Sequence, residues 1–207
     1  RNRRSEVKPE RLTAFTDGVI AVIITIMVLE MKAPMGGSFR DLSALIPQGL
    51  CYVLSFAYVA IYWANHHHFF QLVRQVDAAI LWSNLNFLFW LSLVPFSTAW
   101  LGTHDRDAAP TATYGISLLM AALSWFVMQN AIVRSQGPDS DLAKALGSDL
   151  KGKLVPFIYM AGIGLSFVNV LLADAMYALV ALMWLVPDRR IEKYLDAKSP
   201  HGRRPAP

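Results

Sequence analysis

Apolar residues run through this chain in long blocks separated by short polar stretches, and six blocks approach the roughly 20 residues that cross a bilayer core. They lie at about 12–31, 42–65, 78–101, 111–133, 154–172 and 174–187. The pattern predicts an all-α integral membrane protein: a six-helix transmembrane bundle over 1–190, followed by a cytoplasmic tail over 191–207. Pro34, Gly36 and Gly37 mark an exterior turn after the first block, and Thr103 to Pro110 mark another after the third. Asp174 falls between the last two blocks, which predicts a tight hairpin there. The longest polar stretch, 135–153, opens on Gln136-Gly137-Pro138 and then places Leu142, Ala143, Ala145, Leu146 and Leu150 at helical spacing. That reads as a turn followed by a short interfacial helix over 139–150, too small for a soluble domain.

Charge adds a direction. Of the 207 residues 55% are apolar and only 16% charged, and sixteen of the nineteen Lys and Arg fall in the N-terminal segment, two alternate loops and the tail. Lys32, Arg40 and Arg106 lie on the other side. Basic residues beside spans are retained in the cytoplasm, so both termini are expected there and the span count should be even. The net charge of +4 then reflects topology and not a nucleic-acid partner. The first block exceeds a secretory h-region and has no small-x-small site before Pro34, so it reads as a retained span. Cys51 is the single cysteine, which excludes an intrachain disulfide and places a buried thiol in the second span.

The first block carries the most chemistry. Arg11, Thr16, Asp17 and Thr25 put charge and hydroxyls where hydrocarbon makes them costly. At 100° per residue, Arg11, Ala14, Gly18, Val22, Thr25 and Leu29 share roughly one 80° sector, while Ile20, Ile23, Ile24, Met27 and Met31 occupy the opposite side. Two readings of the sector stand open. Gly18, Ala21 and Thr25 can form a small-residue surface for close helix packing. Alternatively the sector, repeated about a symmetry axis, lines a pore with Val22 and Leu29 as apolar constrictions of the kind that gate by dewetting. Each subunit is too small to enclose a wide pore alone, so a conduit would be assembled from several copies. Glu30 at the exterior end would concentrate cations at the mouth of such a path, or simply sit at the interface.

Asp17 lies about 120° from Arg11 around the helix, which prevents a pair along one face and points the carboxylate into the bundle. Donors offered by other spans are Asn65, His66, His67, His68 and Trp82. Consecutive histidines diverge by 100° on a helix and cannot converge on one ion, so hydrogen bonding is favoured over pH sensing and over metal or haem ligation. Trp63, Trp100 and Trp184 read as interfacial anchors and Trp82, Trp90 and Trp125 as packing residues. Asn84, Asn86, Gln129, Asn130 and Asn169 read as polar links between helices.

Arg11-x-x-x-Phe15-Thr16-Asp17 with its isoleucine-rich span, and Asn65-His66-His67-His68-x-Phe70 at the end of the second, resemble the bacterial branch of the transmembrane protein 175 potassium channel family. The family usually has Ser where Thr16 stands, a change that keeps the hydroxyl. The resemblance implies a homotetrameric, potassium-selective channel of a bacterial plasma membrane, in contact with lipid, with no cofactor beyond the permeant K+ and no enzymatic activity. It implies that the first helix of each subunit lines the pore, with Val22 at the narrow point, Thr25 and Leu29 following, and Ile26 as an alternative constriction. It also implies that Arg11, Phe15, Thr16, Asp17 and the three histidines form a structural and gating cluster. A secondary cation transporter and a histidine-based membrane oxidoreductase are the rival readings. The apolar midplane of span 1 argues against the first, and the absence of i, i+4 ligand spacing argues against the second.

Overall fold

The computed structural model describes residues 8–137, Ser140 and residues 150–185. Its elements are helices: α1 (Pro9–Leu29), α2 (Phe39–Ser43), α3 (Ile46–Phe70), α4 (Ala78–Ser92), α5 (Val94–Thr103), α6 (Ala108–Gln136), α7 (Leu150–Ser166) and α8 (Val170–Leu185). Proline opens several of them. Pro9, Pro47 and Pro95 stand at the first or second position of α1, α3 and α5, where the missing N–H costs nothing and the fixed φ already suits a helix. Between α1 and α3, Ser38 and Asp41 form a capping box that starts α2.

Four helical stretches are long and apolar enough to cross a membrane: Pro9–Leu29, Ile46–Phe70, Ala78–Thr103 and Ala108–Gln136. The six-span expectation therefore meets four helices of full length among the described residues, with α7 and α8 reaching only 17 and 16 residues. The third span also differs from the single rod expected over 78–101. It breaks at Leu93 into α4 and α5, because Pro95 cannot donate to the Leu91 carbonyl and its ring crowds that turn. Just past the break, hydroxyls fold back onto the first turn of α5: Thr98 Oγ1 donates to the Val94 carbonyl at 2.7 Å, and Ser97 Oγ to the same carbonyl at 3.1 Å. The last hairpin is displaced as well. Asp174 lies inside α8 and not in the turn, because Asn169 caps that helix through its side-chain oxygen on the Leu172 amide, 3.2 Å away. The interfacial helix expected over 139–150 and the tail over 191–207 lie outside the described residues, apart from Ser140 and Leu150.

The core falls into three clusters, one of which gathers Leu12, Phe69, Phe70, Ile80, Met128 and Ile132 where the start of α1 meets the ends of α3 and α6 and the start of α4. Around Tyr58, Tyr114, Tyr159 and Tyr177, helices α3, α6, α7 and α8 pack into a second cluster. The Tyr177 ring is seated between two glycines: a Cβ at Gly115 would fall 2.1 Å from its hydroxyl, and one at Gly162 would fall 2.5 Å from Cε1. The hydroxyls of Thr98, Ser55 and Tyr114 continue inward as a chain with spacings of 2.7 and 2.9 Å, tying α5, α3 and α6 together. The third cluster joins α1 to α3, α4 and α5 through Ile20, Ile23, Met27, Val59, Phe87, Leu91 and Val94. That arrangement leaves α1 at the rim of the bundle with one face uncovered.

Candidate pore face and its supporting network

The two faces of α1 differ sharply. Leu12, Thr16, Ile20, Ile23 and Met27, at spacings of three and four, are buried against the neighbouring helices. On the other side Val22 is 55% exposed, Ile26 40% and Leu29 77%, with Arg11, Phe15, Gly18 and Thr25 exposed beside them. A Cβ added at Gly18 would meet open space. Within one chain, then, the stripe of small and apolar residues packs against nothing.

Thr25 has a defined posture on that stripe. Its hydroxyl donates to the Val22 carbonyl at 2.8 Å, so the oxygen lone pairs are left to accept from whatever lies outside the helix. Glu30 follows the last turn of α1, exposed, and its backbone carbonyl accepts from Gln48 Nε2 at 3.4 Å, which ties the end of α1 to α3. Gln48 is itself clamped by Gly102 of α5, where a Cβ would come within 3.0 Å of the Gln48 backbone.

The opposite end of α1 is held by two separate polar contacts. In the buried one, Asn84 Nδ2 of α4 donates to Thr16 Oγ1 at 2.9 Å, and its Oδ1 lies 3.0 Å from His66 Nε2 of α3. With the amide nitrogen committed to Thr16, the amide oxygen must accept, so His66 is the tautomer that carries its proton on Nε2. All three residues are fully buried, and His66 stacks on Phe70 at 4.1 Å with Trp125 at its edge. In the outer contact, Trp63 Nε1 donates to Asp17 Oδ1 at 2.9 Å, a charge-assisted bond between α3 and α1. Trp63 stacks in turn on His67, which pairs with Gln71 at 3.1 Å.

The predicted cluster is thus divided. Thr16 and His66 meet through Asn84, and Asp17 and His67 meet through Trp63. His68 is exposed and touches only the edge of His67 among the ring contacts. Arg11 and Phe15 face outward beside the uncovered stripe and do not enter either contact within one chain. The donor to Asp17 is neither a histidine nor Trp82. Trp82 is 69% exposed on α4, which also corrects its reading as a packing residue, and Asn65 lines a different cavity between α3, α6 and α7. Trp63, read as an anchor, was the donor that sequence reasoning missed. One signal was available: Trp63 and His67, and His66 and Phe70, are aromatic pairs at i, i+4 near the end of one helix. Among the described residues no group of three His, Cys, Asp or Glu could hold a metal ion.

Against known proteins, residues 11–95 match the family described as "Endosomal/lysosomal potassium channel TMEM175". The chain is 50% identical over 185 residues to a potassium channel of Chryseobacterium sp. (strain P1-3), covering 89% of this chain and 96% of that one. It is 33% identical over 187 residues to a potassium channel of Streptomyces collinus, covering 84% of this chain and 90% of that one. In fold it is similar to the crystal structure of a lysosomal potassium-selective channel TMEM175 homolog from Chamaesiphon minutus. The TM-score is 0.74 at 28% identity, covering 86% of this chain and 96% of that one.

Proposed function

Because this chain belongs to the TMEM175 potassium channel family, a family of membrane channels and not of enzymes, we propose that it is a potassium-selective cation channel assembled as a homotetramer around α1. The observation that carries the reading is the uncovered face of α1, where Val22, Ile26 and Leu29 remain exposed while the opposite face is fully packed. Four such faces about an axis give a path ringed by apolar side chains, with Glu30 at one mouth. The membrane is a bacterial plasma membrane, both termini are cytoplasmic, and α7 and α8 complete a six-span topology.

An apolar ring offers no ligands, so an ion must shed or squeeze its hydration shell to pass. Potassium holds its shell less tightly than sodium and bears the lower cost. A ring of Thr25 oxygens, each with its own proton turned back onto the Val22 carbonyl, offsets part of that cost by accepting the cation. Asn84 and Trp63 keep the helix in register by anchoring its far end.

The test is potassium flux from liposomes holding purified protein, with sodium as the comparison and Val22 and Leu29 substituted in turn. Passive electrogenic flux that favours potassium and changes with both substitutions supports the reading; saturable coupled uptake supports a transporter instead. For Thr25→Val, a net hydroxyl contribution of about 0.6 kcal/mol summed over the whole ring corresponds to about a threefold fall in the potassium-to-sodium permeability ratio. An unchanged ratio would remove Thr25 from the mechanism.

A further inference from the structure

Away from α1, the start of α4 and the end of α6 enclose a groove of about 520 Å³ lined by Asp77, Ser83, Val127, Asn130, Arg134 and Ser135, among others. Its volume falls in the range of roughly 300–1,000 Å³ typical of small-molecule sites. Its two ends carry opposite charges that do not neutralise each other. Asp77 is engaged as the cap of α4, its Oδ1 accepting from the Ile80 amide at 2.9 Å. Arg134 and Asn130, one turn apart on α6, are exposed and have no hydrogen-bond or ion-pair partner among the described residues. An unpaired guanidinium next to an amide, across a groove from a carboxylate, matches a molecule that carries an anion and a cation a few bonds apart.

An exposed apolar strip of α6 borders the groove. Val127 is the groove's apolar floor, and one and three turns further along the same face of α6 stand Leu123 and Ile116, exposed together with it. Trp82 is exposed on the facing helix, close to the start of α4, as expected for an indole at headgroup depth. A basic pocket between transmembrane helices at a span end is a recurrent setting for lipid headgroups.

We propose that this groove binds a phospholipid whose headgroup bears both a phosphate and a primary ammonium, a phosphatidylethanolamine. The phosphate is received by Arg134 with Asn130 beside it, the ammonium donates to Asp77, and an acyl chain follows Val127 and Leu123. A soluble phosphoethanolamine shares the polar chemistry but leaves the apolar track empty.

The test is native mass spectrometry of the detergent-purified protein titrated with phosphatidylethanolamine, phosphatidylcholine and phosphatidylglycerol of matched acyl chains, with soluble glycerophosphoethanolamine as a fourth arm. Phosphatidylcholine has no N–H to donate, and phosphatidylglycerol has no cation. The expected result is at least tenfold tighter binding of phosphatidylethanolamine than of either competitor, with no displacement by the soluble headgroup. Arg134→Gln should lower that affinity about tenfold. Asp77→Asn keeps the helix cap, because Asn caps as well as Asp, and should abolish the preference over phosphatidylglycerol. Equal binding of all three lipids, or an order of preference unmoved by both substitutions, overturns the proposal. So does efficient crosslinking between subunits through Val127→Cys, which would show that another copy of the chain covers the groove.

Discussion

Asn84 is the residue on which the placement of α1 depends most directly, and replacing it with Leu isolates that dependence. The substitution keeps an apolar side chain of similar size in a fully buried position while removing both contacts, to Thr16 at 2.9 Å and to His66 at 3.0 Å. Two hydrogen bonds between helices of a membrane bundle amount to about 0.6–1 kcal/mol each. A buried donor left without a partner costs about 1–3 kcal/mol more, and among the described residues Asn84 is the hydrogen-bond partner of His66 Nε2–H. Thr16 can turn its hydroxyl back onto its own helix, which holds the total near the low end. The expected loss is about 2–3 kcal/mol. Reversible unfolding in bicelles, followed by tryptophan fluorescence, measures it. Thr16→Ser should stay within about 0.5 kcal/mol of the parent, because the hydroxyl is kept, and Thr16→Val combined with Asn84→Leu should show a coupling of about 0.6–1 kcal/mol. An Asn84→Leu cost below about 0.5 kcal/mol, or no coupling, would refute the claim that this contact holds the helix.

Trp63→Phe removes the donor to Asp17 at a partly exposed site and should cost about 0.5–1 kcal/mol in the same unfolding assay, with Asp17→Asn costing less because a neutral acceptor remains. The reverse order would argue against the bond. Gly162→Ala drives a methyl into Tyr177 and should destabilise by about 1–3 kcal/mol, whereas Gly164→Ala on the same helix enters open space and should be neutral or slightly stabilising. Equal effects at the two glycines would contradict the seating of the Tyr177 ring. The Ile80 amide, helped by Ser135, holds the Asp77 carboxyl below its ordinary value near 3.8. A depressed folded-state pKa means stability that is complete above the unfolded value and lost as pH falls through the folded one. Stability should therefore decline below about pH 4 in the parent and less steeply in Asp77→Ala, as read by thermal melts across that window.

Much of this molecule can be read from order of residues alone, because the bilayer imposes a one-dimensional rule: unpaired backbone cannot remain in hydrocarbon, so blocks of about 20 apolar residues must be helices. The four long helices follow from that rule, and so does the division of α1 into a bulky face and a small-residue stripe, since helical geometry assigns faces by position. Where a block ends is a matter of local chemistry that apolar counting overlooks. Pro95 interrupts a run that hydropathy treats as continuous, and Asn169 caps α8 five residues before the charge that looked like its boundary. Which side chains meet depended on tertiary packing. Asn84 joins Thr16 to His66 from a third helix, and Trp63 reaches Asp17 across 46 positions, pairings set by the rotation and depth of α3 and α4 against α1. Those rotations come from interlocking of buried rings and aliphatic side chains. No single helix encodes them, because the energy of each contact belongs to two surfaces at once.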